Sequence, residues 1–254
     1  MRILKAMVIA FSIYSKIPVP QFEWKEKDME YMLCFFPWVG GVIGLVFYGW
    51  MMLCKNLEVG TLCGTLLAAA IPLIISGGFH VDGYMDTMDA FHSYQSREKK
   101  LEILKDSHIG AFAAIMLMLY YMIDLAALSE LHTKEAIFAV AAVFFMARCF
   151  SGIAVVTFPS AKKDGLLYTF ASGAQKTRVK IALYTQLILC AALVLLKTGW
   201  YGVAAIAAAM ISFFYFYKKS YKELGGITGD TAGFFVTVCE AAAAVAVAVT
   251  GYVV

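Results

Sequence analysis

Asp82, Asp86 and Asp89 follow a long apolar run, in the stretch Gly78-Phe-His-Val-Asp-Gly-Tyr-Met-Asp-Thr-Met-Asp-Ala90. In a helix, offsets of four and seven residues bring the three carboxylates within roughly a 60° arc of one face. Val81, Tyr84, Met85, Met88 and Phe91 fall on another. Crowded anions repel one another unless a positive charge sits among them, and an oxygen-only set suits a hard divalent cation such as Mg²⁺. A second polar segment, Leu224-Gly-Gly-Ile-Thr-Gly-Asp-Thr231, sets glycines and a threonine ahead of Asp230. Bare backbone N–H groups there can approach an anion, and the start of a following helix adds a favourable dipole. The same glycines also suit a plain connection between helices. A third segment, 96–107, mixes Leu101, Ile103 and Leu104 with charges and reads as a short surface helix. Either Lys105 snorkels over lipid headgroups on a solvated face, or Lys105 meets a phosphate and Asp106 a metal or hydroxyl.

The elements that must position these groups are membrane helices. The chain has 254 residues, 61% of them hydrophobic and 15% charged, a balance far from that of soluble domains. The predicted fold is all-α: a polytopic integral membrane bundle, a single domain over 1–254. Apolar runs near 30–54, 61–79, 109–129, 135–158, 180–196, 199–217 and 232–250 predict about seven spans. Residues 1–14 carry Arg2 and Lys5 without a small-residue cleavage site after them, and are expected to form a retained interfacial helix. Six scattered cysteines without a Cys-x-x-Cys pair are expected to be free thiols. The four histidines lack zinc-site spacing, and His80 reads as an interfacial histidine or an orienting neighbour of Asp82. Pro37, Gly40, Gly41, Pro72, Gly77 and Gly78 should bend the first two spans or let them pack closely.

Charge distribution orients the bundle. With the N-terminus inside, Arg2, Lys5, Lys16, Lys25, Lys27, Arg97, Lys99, Lys100, Lys105, Lys162, Lys163, Lys176, Arg178, Lys180, Lys218, Lys219 and Lys222 share the cytoplasmic side. Only Lys55, Lys134 and Lys197 fall outside. The positive-inside rule therefore predicts a cytoplasmic N-terminus, an outer C-terminus and both polar segments facing the cytoplasm. Arg148, inside a span, must face a partner or a wet cavity, since an unpaired guanidinium there costs at least about 2.5 kcal/mol. Glu240 is one candidate partner, and a phosphate at the floor of a site is the other. Asp124, near the outer end of its span, is expected to be hydrated.

A cation on carboxylates beside a Gly-rich turn and basic residues is suited to gripping a pyrophosphate. Without a Walker sequence or kinase motifs, transfer between substrates is expected rather than ATP-driven work. Mg-dependent membrane phosphotransferases, prenyltransferases and cation-coupled transporters draw on similar inventories. Five ordered motifs narrow the choice: Tyr14-Ser-Lys-Ile-Pro-Val-Pro20, Phe35-Phe-Pro-Trp-Val-Gly-Gly-Val-Ile-Gly44, the Asp-rich stretch from Gly77 to Asp89, Ile103-Leu-Lys-Asp-Ser-His-Ile-Gly-Ala-Phe112, and Leu224 to Thr231. In these the chain resembles the adenosylcobinamide-GDP ribazoletransferase (cobalamin synthase) family, with Lys16 and His108 where that family often has Arg.

The resemblance implies an enzyme of the bacterial or archaeal cytoplasmic membrane that completes the nucleotide loop of cobalamin. A hydroxyl of α-ribazole, or of its 5'-phosphate, attacks the cobinamide-side phosphorus of adenosylcobinamide-GDP, and GMP leaves. On that reading Asp82, Asp86 and Asp89 hold Mg²⁺, and one of them or Asp230 takes the hydroxyl proton. Gly225, Gly226, Thr228 and Gly229 cradle phosphate, with Lys16, Lys105, Asp106 and Arg148 as further substrate contacts. Membrane lipid surrounds the protein, nucleic acid is not an expected partner, and a homo-oligomer is compatible with the pattern.

Overall fold

The computed structural model describes residues 2–20, 22–162 and 165–254; Met1 and Lys163 lie outside them. Among the described residues there are eleven α-helices: α1 (Arg2–Tyr14), α2 (Phe36–Asn56), α3 (Thr61–Ser76), α4 (Phe79–His92), α5 (Arg97–Ile103), α6 (Ala111–Ser129), α7 (Lys134–Thr157), α8 (Gly165–Gly173), α9 (Lys176–Thr198), α10 (Trp200–Leu224) and α11 (Gly229–Thr250). Short 3-10 turns at Glu26–Asp28 and Met32–Cys34 lead into α2.

Six helices (α2, α6, α7, α9, α10 and α11) are long and apolar enough to cross a bilayer. α3 is a candidate seventh, long and apolar enough only together with α4 beyond its bend, and its two ends lie toward opposite faces of the bundle. Near its C-terminus Lys16 N donates to Ile75 O at 2.8 Å, and near its N-terminus Gly64 O accepts from Trp50 Nε1 at 2.9 Å, toward the far end of α2. α3 has only 16 residues, about 24 Å of helix. It stops three residues before the predicted boundary because Gly77 and Gly78 adopt φ of +69° and +80°, left-handed values that bare glycine tolerates. The chain turns by 96° there, so α4 runs across the bundle end rather than through it.

α7 is the most buried span and α9 the most lipid-exposed. Small residues set the central contact between α2 and α7. A side chain at Gly40 or Gly44 would collide with the carbonyl oxygens of Phe144 and Ala141, so these glycines permit the close helix approach common in lipid. Pro37 stands in the first turn of α2, where it removes no helical hydrogen bond. α1 buries Ala6, Ile9, Ala10 and Tyr14 while exposing Ile3 and Leu4, an amphipathic arrangement that agrees with the interfacial expectation. The six cysteines are free. Asp124 departs from expectation: α6 turns it inward, 8% exposed, onto a small cavity shared with Tyr120 and Glu240.

Candidate active site

Every element that carries the candidate residues ends on one face: the C-termini of α1, α3, α7 and α10, the N-termini of α6 and α11, and α4 and α5. Two backbone contacts then assemble the site. α4 crosses α11 where both helices are bare. A Cβ on Gly83 would lie 2.7 Å from Asp230 O, and one on Gly233 would lie 3.0 Å from His80 O. Gly83 stands between Asp82 and Asp86, and Gly233 lies almost one turn past Asp230. The crossing therefore brings the α4 carboxylates beside Asp230.

The second contact is a two-residue parallel bridge. Ile227 N donates to Pro159 O and Ala161 N donates to Ile227 O, both at 2.9 Å, pairing Ser160 with Ile227. A side chain at Gly226 would strike Pro159 O at 2.5 Å. This bridge carries Ser160 and Lys162 to the start of α11. There Thr228 caps the helix in a reciprocal capping box with Thr231, and its hydroxyl lies 3.4 Å from Asp230 Oδ2.

A cleft of about 200 Å³ results, walled by Asp82, Ser160, Lys162, Thr228, Gly229 and Asp230. Its electrostatics are those of crowded anions. Burial, then Asp82, Asp230 and Asp89, push the Asp86 carboxyl up to about 6, with Lys162 acting in the opposite direction. A Cβ on Gly229 would meet nothing within 4 Å, so the first turn of α11 is open toward a ligand.

The predicted site residues divide. Asp82, Asp230, Thr228 and Gly229 line the cleft, and Asp86 lies close enough to Asp82 and Asp230 to feel their charge. Asp89 instead holds the N-terminus of α6: its Oδ2 accepts from Gly110 N at 2.6 Å and its Oδ1 from Ala113 N at 2.8 Å. Gly225 ends α10 with φ +77°, under the Arg97 guanidinium, and Gly226 serves the bridge. Lys105 and Asp106 lie on the exposed turn after α5, where Asp106 Oδ1 binds His108 Nδ1 at 2.6 Å. α5 itself is fastened to α10 by the buried Lys100–Glu223 ion pair. Arg148 does not reach the cleft: 1% exposed, it pairs with Glu240 and donates to Phe144 O at 2.8 Å. Of its two sequence readings, the structure takes the Glu240 pairing. His80 is buried among Tyr14, Phe36 and Phe79 rather than beside a carboxylate. Lys16 lines a neighbouring cleft that also touches Asp82.

Sequence reasoning missed Gly83, Gly233, Ser160 and Lys162. Lys162 counted only as one basic residue among many, since the bridge that brings it in joins residues 67 positions apart. A small residue inside the Asp-rich run and another shortly after Asp230 were the available signal for the crossing.

As a metal site the cleft is open. Among the described residues no three His, Cys, Asp or Glu side chains close around a common point. The donor chemistry nonetheless fits Mg²⁺, which is held by one or two carboxylates with water and substrate phosphate oxygens completing the shell. Mutual repulsion at Asp86 is what such a cation relieves.

Comparison with known proteins gives the chain its place. A family model described as cobalamin-5-phosphate synthase matches residues 6–248. The adenosylcobinamide-GDP ribazoletransferase of Lachnoclostridium phytofermentans is 43% identical over 249 residues, 98% of this chain and 95% of that one. Proteins of the same name from Clostridium perfringens and Desulfitobacterium hafniense are each 31% identical, over 93% of this chain and 94% of theirs. No solved structure matches it significantly. With the match running through nearly the whole bundle, cleft included, the chain belongs to the cobalamin-5-phosphate synthase family.

Proposed function

We propose that this chain is a membrane-bound, Mg²⁺-dependent ribazole transferase. A hydroxyl of α-ribazole or its 5'-phosphate displaces GMP from adenosylcobinamide-GDP, forming the phosphodiester of adenosylcobalamin or of its 5'-phosphate. The observation that carries this reading is the convergence of Asp82 and Asp86 from α4 with Asp230 from α11, across the Gly83–Gly233 crossing. Family membership supports the same substrates.

Two carboxylates, one from α4 (Asp82 or Asp86) and Asp230 from α11, would hold the cation with water and substrate oxygens, and when bound it would polarise the pyrophosphate and offset charge on the leaving phosphate. The exposed N–H groups of the first turn of α11 bind phosphate oxygens, and Lys162 balances charge that the carboxylates leave unmatched. Asp86 or Asp230 takes the proton of the attacking hydroxyl. Asp89, holding the start of α6, keeps α4 at the depth where its neighbours face the cleft. The face carrying the site holds Lys16, Arg97, Lys105, Lys162, Arg178 and Lys222, against Lys55, Lys134 and Lys197 on the other. That asymmetry supports a cytoplasmic site in the cytoplasmic membrane.

The test is GMP release by purified chain in lipid vesicles given both substrates and Mg²⁺, with an active synthase in parallel. Release that stops with a chelator and returns with Mg²⁺ is expected. No release, with the parallel enzyme active, contradicts the assignment.

A further inference from the structure

Two clefts open onto Asp82. One is the phosphate cleft under Lys162 and Thr228, and the other, about 460 Å³, lies between the end of α1 and the α3–α4 bend. Phe79 and Asp82 are the residues common to both. In a displacement at phosphorus the attacking and leaving oxygens stand roughly in line, on opposite sides of the reacting atom. Such a reaction needs two approaches to one point, and two clefts meeting at a carboxylate supply them.

The second cleft has the chemistry of a nucleoside site. Val81 and Met85 give it an apolar wall, and Ser15 and Ser76 give it hydroxyls. Those hydroxyls donate to Phe11 O and Pro72 O, each at 2.6 Å; Ser15 Oγ also accepts from Ile17 N at 3.3 Å, which leaves it one lone pair, and Ser76 Oγ keeps both for a ribose O–H. Lys16 is held in place. Its backbone N–H is bonded to Ile75 O at 2.8 Å, and its stem lies across Gly77, where any side chain would collide with it. Among the described residues no carboxylate lies within ion-pair reach of its Nζ. A cation fixed by its stem, with an uncommitted head, is available to an anionic ligand.

We propose that the Lys16 cleft is the acceptor subsite. It takes the nucleoside whose hydroxyl attacks, and Lys16 holds that nucleoside's own phosphate when one is present. The inference rests on the ribazole transfer proposed above. In the step, the acceptor oxygen bonds to the cobinamide-side phosphorus, and the bond from that phosphorus to the bridging oxygen breaks. GMP departs with the bridging oxygen on the Lys162 side, and the acceptor's proton passes to a cleft carboxylate.

The experiment uses the full chain in phosphatidylcholine vesicles and compares it with Lys16→Gln. Initial GMP release is measured against each substrate, and binding of α-ribazole 5'-phosphate is measured by equilibrium dialysis without the donor. Lys16→Gln is expected to raise the KM for α-ribazole 5'-phosphate by about tenfold and to weaken its binding equally. The KM for adenosylcobinamide-GDP and that for unphosphorylated α-ribazole should stay within about twofold, since neither places a phosphate at Lys16. Lys16→Arg should restore the native values. A shift in the donor KM instead, or equal shifts for both acceptor forms, overturns the subsite while leaving ribazole transfer intact. A shift seen only after anionic phosphatidylglycerol is added would assign Lys16 to a lipid headgroup and also overturn it. Absence of GMP release by the native chain would strike the proposed function, and the dialysis would still decide whether Lys16 binds the phosphorylated nucleoside.

Discussion

The molecule contains two groups of charges that a bilayer would normally reject, and it treats them in opposite ways. Within the bundle, Arg148 is 1% exposed and closed off by Glu240 and the Phe144 carbonyl, with Gly40 giving it room. At the bundle end, Asp82, Asp86 and Asp230 face one another with Lys162 as the nearby counter-charge, and Asp86 bears the repulsion. Evolution can satisfy buried charge by pairing it, so leaving carboxylates mutually unfavourable has a stability cost that a purely structural role does not explain. The paired group holds helices together; the strained group waits for a ligand.

Substitutions on each side sharpen or break that contrast. Asp86→Asn should lower turnover by at least about 10²-fold, because it removes charge from the proposed reacting centre, with insertion intact and thermal stability equal or higher, because it relieves repulsion. Near-native turnover would place the strained group outside the chemistry. Glu240→Ala should destabilise the bundle by about 3–5 kcal/mol, because it leaves Arg148 buried without a partner. Arg148→Met combined with Glu240→Leu should recover most of that stability and keep turnover, as read by thermal unfolding in detergent alongside GMP release. If the double variant is stable but inactive, the inner pair belongs to the site after all. Gly83→Ala pushes a methyl toward Asp230 O and should cost about 1–3 kcal/mol, with turnover falling as α4 is forced off α11. Asp89→Asn is the mildest: it keeps one acceptor for α6 and should cost about 1 kcal/mol with cation binding retained. Loss of cation binding there would return Asp89 to the ligand set.

Much of this arrangement was legible in the sequence, and the remainder has a physical reason. Apolar run length marks the crossings, and charge asymmetry alone places Asp82 and Asp230 on one face. Helix periodicity also grouped Asp89 with Asp82 and Asp86, because it reports a shared face and not which neighbour that face meets. The N-terminus of α6 arrives from a different segment and engages Asp89 first. Gly225 and Gly226 look like a phosphate loop by composition, yet one ends a helix and the other admits the Pro159 carbonyl. Glycine marks close approach without saying what approaches. Lys162 was hidden for the converse reason, since only the long-range bridge at Ser160 and Ile227 distinguishes it from other loop lysines. Arg148 and Glu240, 92 positions apart, are joined by tertiary packing that periodicity does not encode.

In the proposed mechanism, carboxylates from α4 and α11 serve one cation. Mn²⁺ binding, followed by electron paramagnetic resonance on the purified chain, reports this without substrate or turnover. Weakened binding in both Asp86→Asn and Asp230→Asn, with Glu240→Gln unaffected, is the expected result. Native binding in Asp230→Asn would mean that the two helices do not share a metal, and the account of the cleft would be contradicted.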